Sequence, residues 1–205
     1  KSLDEIIVEG PFGVKLVPGA SGIQHMASLN EQQTASIISA FSELESDIDY
    51  LIVDMAAGLS DSVMTFLCAC QRRYIVLKNE PSSIADAYAT IKVMLQDYNL
   101  DNIWLIPNAV TSQPDGIRLS KNINTVVKNF LGGQVNYLHS ITSDEMVLRA
   151  TKSSKCLLDF APSSNATRDF KELAKIVDSQ GPDIGISGGL QFFLERIVAD
   201  QVKVG

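Results

Sequence analysis

Three places in this 205-residue chain put polar or flexible residues where chemistry can happen. The first is Tyr50-Leu-Ile-Val-Asp54-Met-Ala-Ala-Gly58, an apolar run that ends in a carboxylate and is followed by small residues and a glycine. A carboxylate in that place can hold a divalent cation through water, and the glycine lets backbone approach a phosphate. The same string also fits a strand that ends on a capping Asp and a Gly turn. The second place is Pro107-Asn108, just after Ile103-Trp-Leu-Ile106. A carboxamide offers both a donor and an acceptor to a purine edge, and Asn is equally a common turn residue. The third is the stretch from Asn79 to Lys92, which reads as a strand end, a Glu-Pro turn, a Ser82 cap and an amphipathic helix. Nothing in that description specifies a reaction. His25 and His139 stand alone in sequence. Cys68, Cys70 and Cys156 form neither a disulfide framework nor a metal-ligand spacing, and read as buried or half-buried free thiols.

The elements that must carry these residues alternate. Short β-like runs fall at 13–19, 50–54, 74–77, 103–106 and 135–138. Between them lie helical patterns. Asn30 with Gln33 forms a capping-box signature ahead of Ile37, Ile38, Phe41 and Leu44, and a further helix follows around 62–69. Later helices carry Ile84, Tyr88, Ile91 and Leu95; then Ile123, Val126, Val127, Phe130 and Leu131; then Phe170, Leu173, Ala174 and Val177, closed by Gly181-Pro182. The continuous apolar run at 50–54 predicts a parallel strand covered on both faces. The alternation predicts an α/β fold, a mostly parallel sheet with helices on both faces. Ligands bind at the carboxyl ends of such strands, which is where Asp54 and Asn108 fall.

Composition sets the bounds. The chain is 45% hydrophobic and 20% charged, ordinary for one sizeable domain over 1–180. A net charge of -7 argues against a broad face for nucleic acid, so no direct nucleic-acid partner is expected. No apolar run approaches the ~18 residues of a membrane span and no signal peptide is visible, so a cytoplasmic location is expected. Residues 181–189, with four glycines and a proline, read as a flexible linker to a terminal segment at 190–205. In that segment Leu190, Phe193, Leu194, Ile197 and Val198 share one helical face.

Several strings, in order, carry a resemblance. Residues 79–92, Asn-Glu-Pro-Ser-Ser-Ile-Ala-Asp-Ala-Tyr-Ala-Thr-Ile-Lys, are similar to the "PEPTSITDAYALIK" signature of MinD and FlhG proteins. Asp54-Met-Ala-Ala-Gly58 resembles their "DTAAG" motif and the Mg²⁺-side strand of P-loop NTPases. Ile141-Thr-Ser-Asp-Glu145 resembles their "IPYDE" loop. The segments 10–22 and 189–198 resemble FlhG strings that a generic MinD lacks, the latter "GHLEFFVERLV". The chain is thus identified as similar to the MinD/ParA family of deviant Walker A ATPases, on the side of the flagellar-number regulators FlhG and FleN. The departures are a missing Gly-Lys-Gly-Gly-Val-Gly-Lys type loop, a missing acidic switch segment, Lys78-Asn79 in place of Thr-Pro, and Thr142 in place of Pro. The resemblance puts that phosphate loop ahead of residue 1. The chain therefore reads as a P-loop NTPase domain of MinD-like type that lacks its first strands.

The resemblance implies an intact protein that binds ATP or ADP with Mg²⁺ and hydrolyses ATP. It implies face-to-face homodimers, peripheral association with the inner membrane, and control of flagellar number through an FlhF-like GTPase, a flagellar switch protein or a transcriptional activator. It assigns Asp54 to the Mg²⁺ water shell, Gly58 to the γ-phosphate, Asn108 to adenine, and Asp144 and Glu145 to the side of the base pocket. Tyr88 and Lys92, on the helix from Ile84 to Leu95, become a partner or dimer surface. Leu190, Phe193, Leu194 and Ile197 become a membrane-facing stripe, although Arg196 and Lys203 are its only cations. That stripe equally fits a helix packed on its own domain or on a dimer partner. The alternative reading is a non-catalytic binding module of the same fold that has lost ATP hydrolysis. A receiver-like domain with Asp54 as phosphoacceptor would need an acidic pair after a first strand and a Lys-Pro strand end, and neither is present.

Overall fold

The computed structural model describes residues 3, 5–19, 29–44, 48–56, 58–181 and 191–193. The chain forms two compact units, Lys1–Gln71 with Ile184–Gly205, and Arg72–Asp183.

The first unit opens with a small antiparallel hairpin. Strand β1 (Val8–Glu9) pairs with β2 (Lys15–Leu16), placing Val8 opposite Leu16. Between them Phe12 and Gly13 take φ of 60° and 78°, which folds the chain back. The strand expected over 13–19 is thus only two residues long. Helix α1 (Glu31–Ser42) starts on the capping box that the spacing predicts. Asn30 Oδ1 accepts from the Gln33 N–H at 2.8 Å, and Gln33 Oε1 accepts from the Asn30 N–H at 3.0 Å. Helix α2 (Asp61–Ala69) is capped by Ser60. Ile38, Phe41, Leu44, Ala69 and Phe192 form the apolar centre, with Leu51 and Val53 packed against it. Ile52 is 88% exposed. The run at 50–54 therefore buries one face and not two, and it joins no ladder among the described residues. A strand covered on both faces needs sheet neighbours, and no described strand lies beside this one.

The second unit is the parallel sheet. Strand β3 (Arg73–Leu77) leads to α3 (Pro81–Gln96), β4 (Ile103–Val110), α4 (Gln113–Leu131), β5 (Asn136–Tyr137) and β6 (Ile141–Thr142). Helices α5 (Glu145–Lys152), α6 (Leu157–Phe160) and α7 (Asn165–Ser179) follow. Strand β4 pairs in parallel with β3 on one side and with β5 and then β6 on the other. Trp104 and Ile106 of β4 point to the layer containing Leu173, Ile176 and Val177 of α7. Pro107, one step out of phase, lies under Gly116 of α4. Alternation along the strand thus puts helices on both faces.

Four details differ from the pattern-based reading. The cap of α3 is Glu80, with Pro81 in the first turn where a missing N–H costs nothing; Ser83, not Ser82, is engaged, accepting from the Lys78 N–H at 3.0 Å. Strand β4 runs on through Pro107 to Val110. Pro107 falls between the residues paired with β5 and those paired with β6, where a residue without an N–H disturbs that ladder least. On α4 the buried stripe is Leu119, Ile123 and Val127, while Phe130 is 72% exposed. Cys156 is exposed, whereas Cys68 and Cys70 are half-buried, and none of the three is in a disulfide. No described helix is long and apolar enough to cross a membrane.

Candidate functional site

The chemistry-bearing residues of the second unit gather at the carboxyl ends of β4 and β6. Ala109 has φ of 54° and interrupts the ladder between Asn108 and Val110, whose partners are Ile141 and Thr142. A bulge of this kind ends regular pairing and re-aims the neighbouring side chains. Asn108 is half-buried, and its Oδ1 accepts from the Ala109 N–H at 2.9 Å. Its oxygen is engaged by its own strand, so the chemistry it offers a ligand is that of its two amide N–H donors, which suit purine ring nitrogens.

Asp144 follows β6 and serves two helices. As N-cap of α5 it accepts from the Met146 N–H at 2.9 Å, and its other oxygen accepts from the Ala166 N–H of α7 at 3.1 Å. These backbone donors, Met146 first and Ala166 next, hold its carboxyl below the usual value of 3.8, because they stabilise the ionised form. Glu145 beside it is exposed and pairs with Arg149 at 3.4 Å. The β4–β6 ladder brings Asn108 and the turn with Asp144 and Glu145 to one end of the sheet.

A polar network lies behind that turn. Asp169 of α7 accepts from the N–H of Thr142 at 2.8 Å and from its hydroxyl, and its other oxygen accepts from Gln113 Nε2 at 2.9 Å. Gln113 also donates to the Ser140 carbonyl at 2.9 Å and accepts from the Tyr137 hydroxyl at 3.1 Å. His139 Nε2 is buried without a hydrogen-bond partner, 3.8 Å from Asp169. In front of the network Thr111, Thr142, Ser143, Asn165, Arg168 and Asp169 line a cleft of about 310 Å³, which Asn108 itself does not line. A larger groove of about 670 Å³, with Asp101, Asn102, Lys128 and Asn136 in its walls, lies at the amino ends of β4 and β5, where parallel sheets do not hold their ligands.

Asp54 and Gly58 belong to the first unit. Asp54 is exposed. Gly58 has φ of 123° with nothing within 4 Å of where a Cβ would stand, a conformation and an open space that suit close approach of a ligand to backbone. No group of three or more His, Cys, Asp or Glu side chains that could hold a metal exists among the described residues. Mg²⁺ needs no such group, because it keeps several waters and takes one or two carboxylates plus phosphate oxygens. A lone accessible carboxylate therefore fits it.

Tyr88 is half-buried and Lys92 exposed on α3. Leu190, Leu194 and Ile197, with the linker residues 182–189, lie outside the described residues. Phe193 is half-buried, its ring 6.5 Å from that of Phe41. Its neighbour Phe192 is 2% exposed and stacks 6.2 Å from Phe66, and its N–H donates to the Ala69 carbonyl at 3.2 Å. Periodicity drew attention to Phe193; the anchored ring is Phe192. Asp169, Gln113 and Tyr137 carried no sequence signal at all, since Asp169 meets its partners across 27 and 56 residues.

No protein-family model matches the chain. The antiactivator FleN of Pseudomonas aeruginosa is 37% identical over 196 residues, covering 96% of this chain and 70% of FleN. The flagellum site-determining protein YlxH of Helicobacter pylori is 29% identical over 200 residues, 96% of this chain and 67% of YlxH. Among solved structures, the septum site-determining protein MinD of Pyrococcus horikoshii, complexed with Mg-ADP, superimposes with a TM-score of 0.67 at 21% identity, over 88% of this chain and 70% of that one. The parallel sheet, its helices and this likeness define the class: a MinD-like P-loop NTPase fold. Within it, the chain belongs to the MinD/ParA family of ATPases, in the FlhG/FleN branch of flagellar regulators.

Proposed function

We propose that this chain is the nucleotide-binding domain of an ATP-dependent regulator of flagellar number and placement. The observation that carries the reading is the 37% identity with FleN across 96% of the chain. In the reading, Asn108 donates to the adenine ring, and Ser143, Asp144 and Glu145 border the base. Asp54 orients the water shell of Mg²⁺, and Gly58 admits the γ-phosphate close to backbone. Bound Mg²⁺ neutralises charge on the phosphates. The lysines and backbone N–H groups that hold the phosphates belong to the loop that the resemblance puts ahead of residue 1, so hydrolysis is assigned to a protein that includes it. ATP-dependent face-to-face dimerisation, a partner surface on α3 with Tyr88 and Lys92, and inner-membrane association through the terminal segment complete the proposal. Its partners would be an FlhF-like GTPase, a flagellar switch protein or a transcriptional activator.

Calorimetric titration of the chain with ATP and ADP, with and without Mg²⁺, tests the nucleotide role; no binding would reject it for this chain. Liposome sedimentation of chains ending at Gly188 and at Gly205 tests the terminal segment. Preferential pelleting of the longer chain is expected, and equal pelleting would reject the membrane role.

A further inference from the structure

The turn between β6 and α5 carries Ser143 and Asp144, and something must hold it still against the end of β4. One attachment is the ladder itself, where the Ser143 N–H donates to the Val110 carbonyl at 2.8 Å. The second comes from α7. Both donors of Thr142 end on one oxygen of Asp169, while Gln113 Nε2 ends on the other at 2.9 Å. A carboxylate offers about four lone-pair positions, and three are filled by donors from two other elements. Hydrogen bonds to an ionised acceptor are about twice as strong as neutral ones. Gln113 is itself fixed by the Ser140 carbonyl and the Tyr137 hydroxyl, so the acceptor meets donors that are already oriented. Asp169 and Thr142 are both walls of the 310 Å³ cleft, so a shift of this latch changes the cleft directly. The loop that Ile141–Glu145 resembles has proline where this chain has Thr142. Proline has no N–H to give, so the latch belongs to this chain's own threonine.

We propose that Asp169 is a positioning residue for base recognition: through Thr142 it fixes the β6–α5 turn in the register that sets Ser143 and Asp144 beyond the Asn108 end of β4. The inference rests on the nucleotide reading above. The test measures adenosine and ADP affinity of the 205-residue chain and of its Asp169→Asn, Thr142→Val, Thr142→Ser and Asn108→Ala variants. Each titration is run well below the variant's melting temperature. Asp169→Asn keeps shape but turns an –NH2 toward donors, and affinity falls about tenfold, the scale of one hydrogen bond. Thr142→Val weakens binding, and Thr142→Ser recovers most of that loss. The Asp169→Asn/Thr142→Val double variant binds no more weakly than Asp169→Asn alone, because both break the same Thr142–Asp169 latch; an effect of Asp169 that does not pass through Thr142 gives additive losses instead. A folded Asp169→Asn chain with wild-type affinity, or additive losses, overturns the inference. Where Asp169→Asn fails to fold, equal affinity of the Val and Ser variants at 142 overturns it. A wild-type chain that binds neither ligand rejects the nucleotide reading and this inference with it.

Discussion

The two oxygens of Asp144 serve different helices, and that makes one side chain answerable to pH. Backbone N–H groups of Met146 and Ala166 favour its ionised form and lower its pKa from 3.8. Because the folded value lies below the ordinary one, the carboxylate contributes stability that is fully present above pH 3.8. That contribution is lost as pH falls through the lowered value. Replacing Asp144 by Ala is expected to cost about 1 kcal/mol at neutral pH, the usual scale of a lost N-cap. Thermal melts of the two proteins from pH 7 downward check this: the gap between them closes only below pH 3.8, and a gap that is constant with pH contradicts the assignment. Asn108 poses a different question at the same scale. The sequence puts it just past a strand ending at Ile106, whereas β4 runs on to Val110 and pairs Asn108 with Ile141; that extension and the bulge at Ala109 depend on β6, more than thirty residues on.

At the scale of elements, close approach decides what can be changed. A Cβ on Gly116 would stand 1.9 Å from Ser140 Oγ and 3.3 Å from Pro107 Cβ. Gly116→Ala is therefore expected to destabilise the second unit by about 1–3 kcal/mol, the cost of overpacking, and to loosen the Ser140–Tyr137–Gln113 bonds. Urea unfolding followed by the single Trp104 measures it, and an unchanged midpoint would mean that α4 can shift without penalty. In the first unit, Phe192 lies edge-on to Phe41 at 5.4 Å and parallel to Phe66. Phe192→Ala is expected to cost about 3–5 kcal/mol, with faster amide exchange of α1 and α2 as the readout. The same change at exposed Phe130 is expected to cost much less, and equal costs would contradict the burial pattern. Capping and turn chemistry are local, which is why Asn30 with Gln33 could be read from spacing. Burial is not local: Val126 and Phe130 share a helical periodicity with Ile123 and Val127, yet only the latter two are covered.

At the scale of the molecule, sequence order carried the class and left the assembly open. The alternation of strands and helices identified the parallel sheet, because β3, β4 and β5 each connect through a helix. The run at 50–54 failed as a two-sided strand because strand pairing depends on distant neighbours rather than on its own apolar residues. The motif string at 54–58 singled out Asp54 and Gly58 as candidates, and the end of the 103–106 run singled out Asn108; nothing pointed to Asp169, which only the packing of α7 on β6 brings to the candidate site. Among the described residues β3 pairs on one side only, and Val76 is 60% exposed beside Tyr74; an unpaired strand with exposed apolar side chains is of the kind that pairs with other chains when unprotected. Val76→Lys is accordingly expected to lower the concentration-dependent light scattering of the purified chain; no change would show that this edge is not what associates.

The carboxyl end of β4 and β6 is proposed to receive the base of an adenine nucleotide. Titration of the chain with adenosine and with ADP and Mg²⁺, alongside Asn108→Ala, tests it most directly. Saturable binding of both ligands at comparable affinity is expected, since the base side carries the recognition, with a loss of about tenfold in the variant. Absence of binding, or affinity that Asn108→Ala leaves untouched, would contradict it.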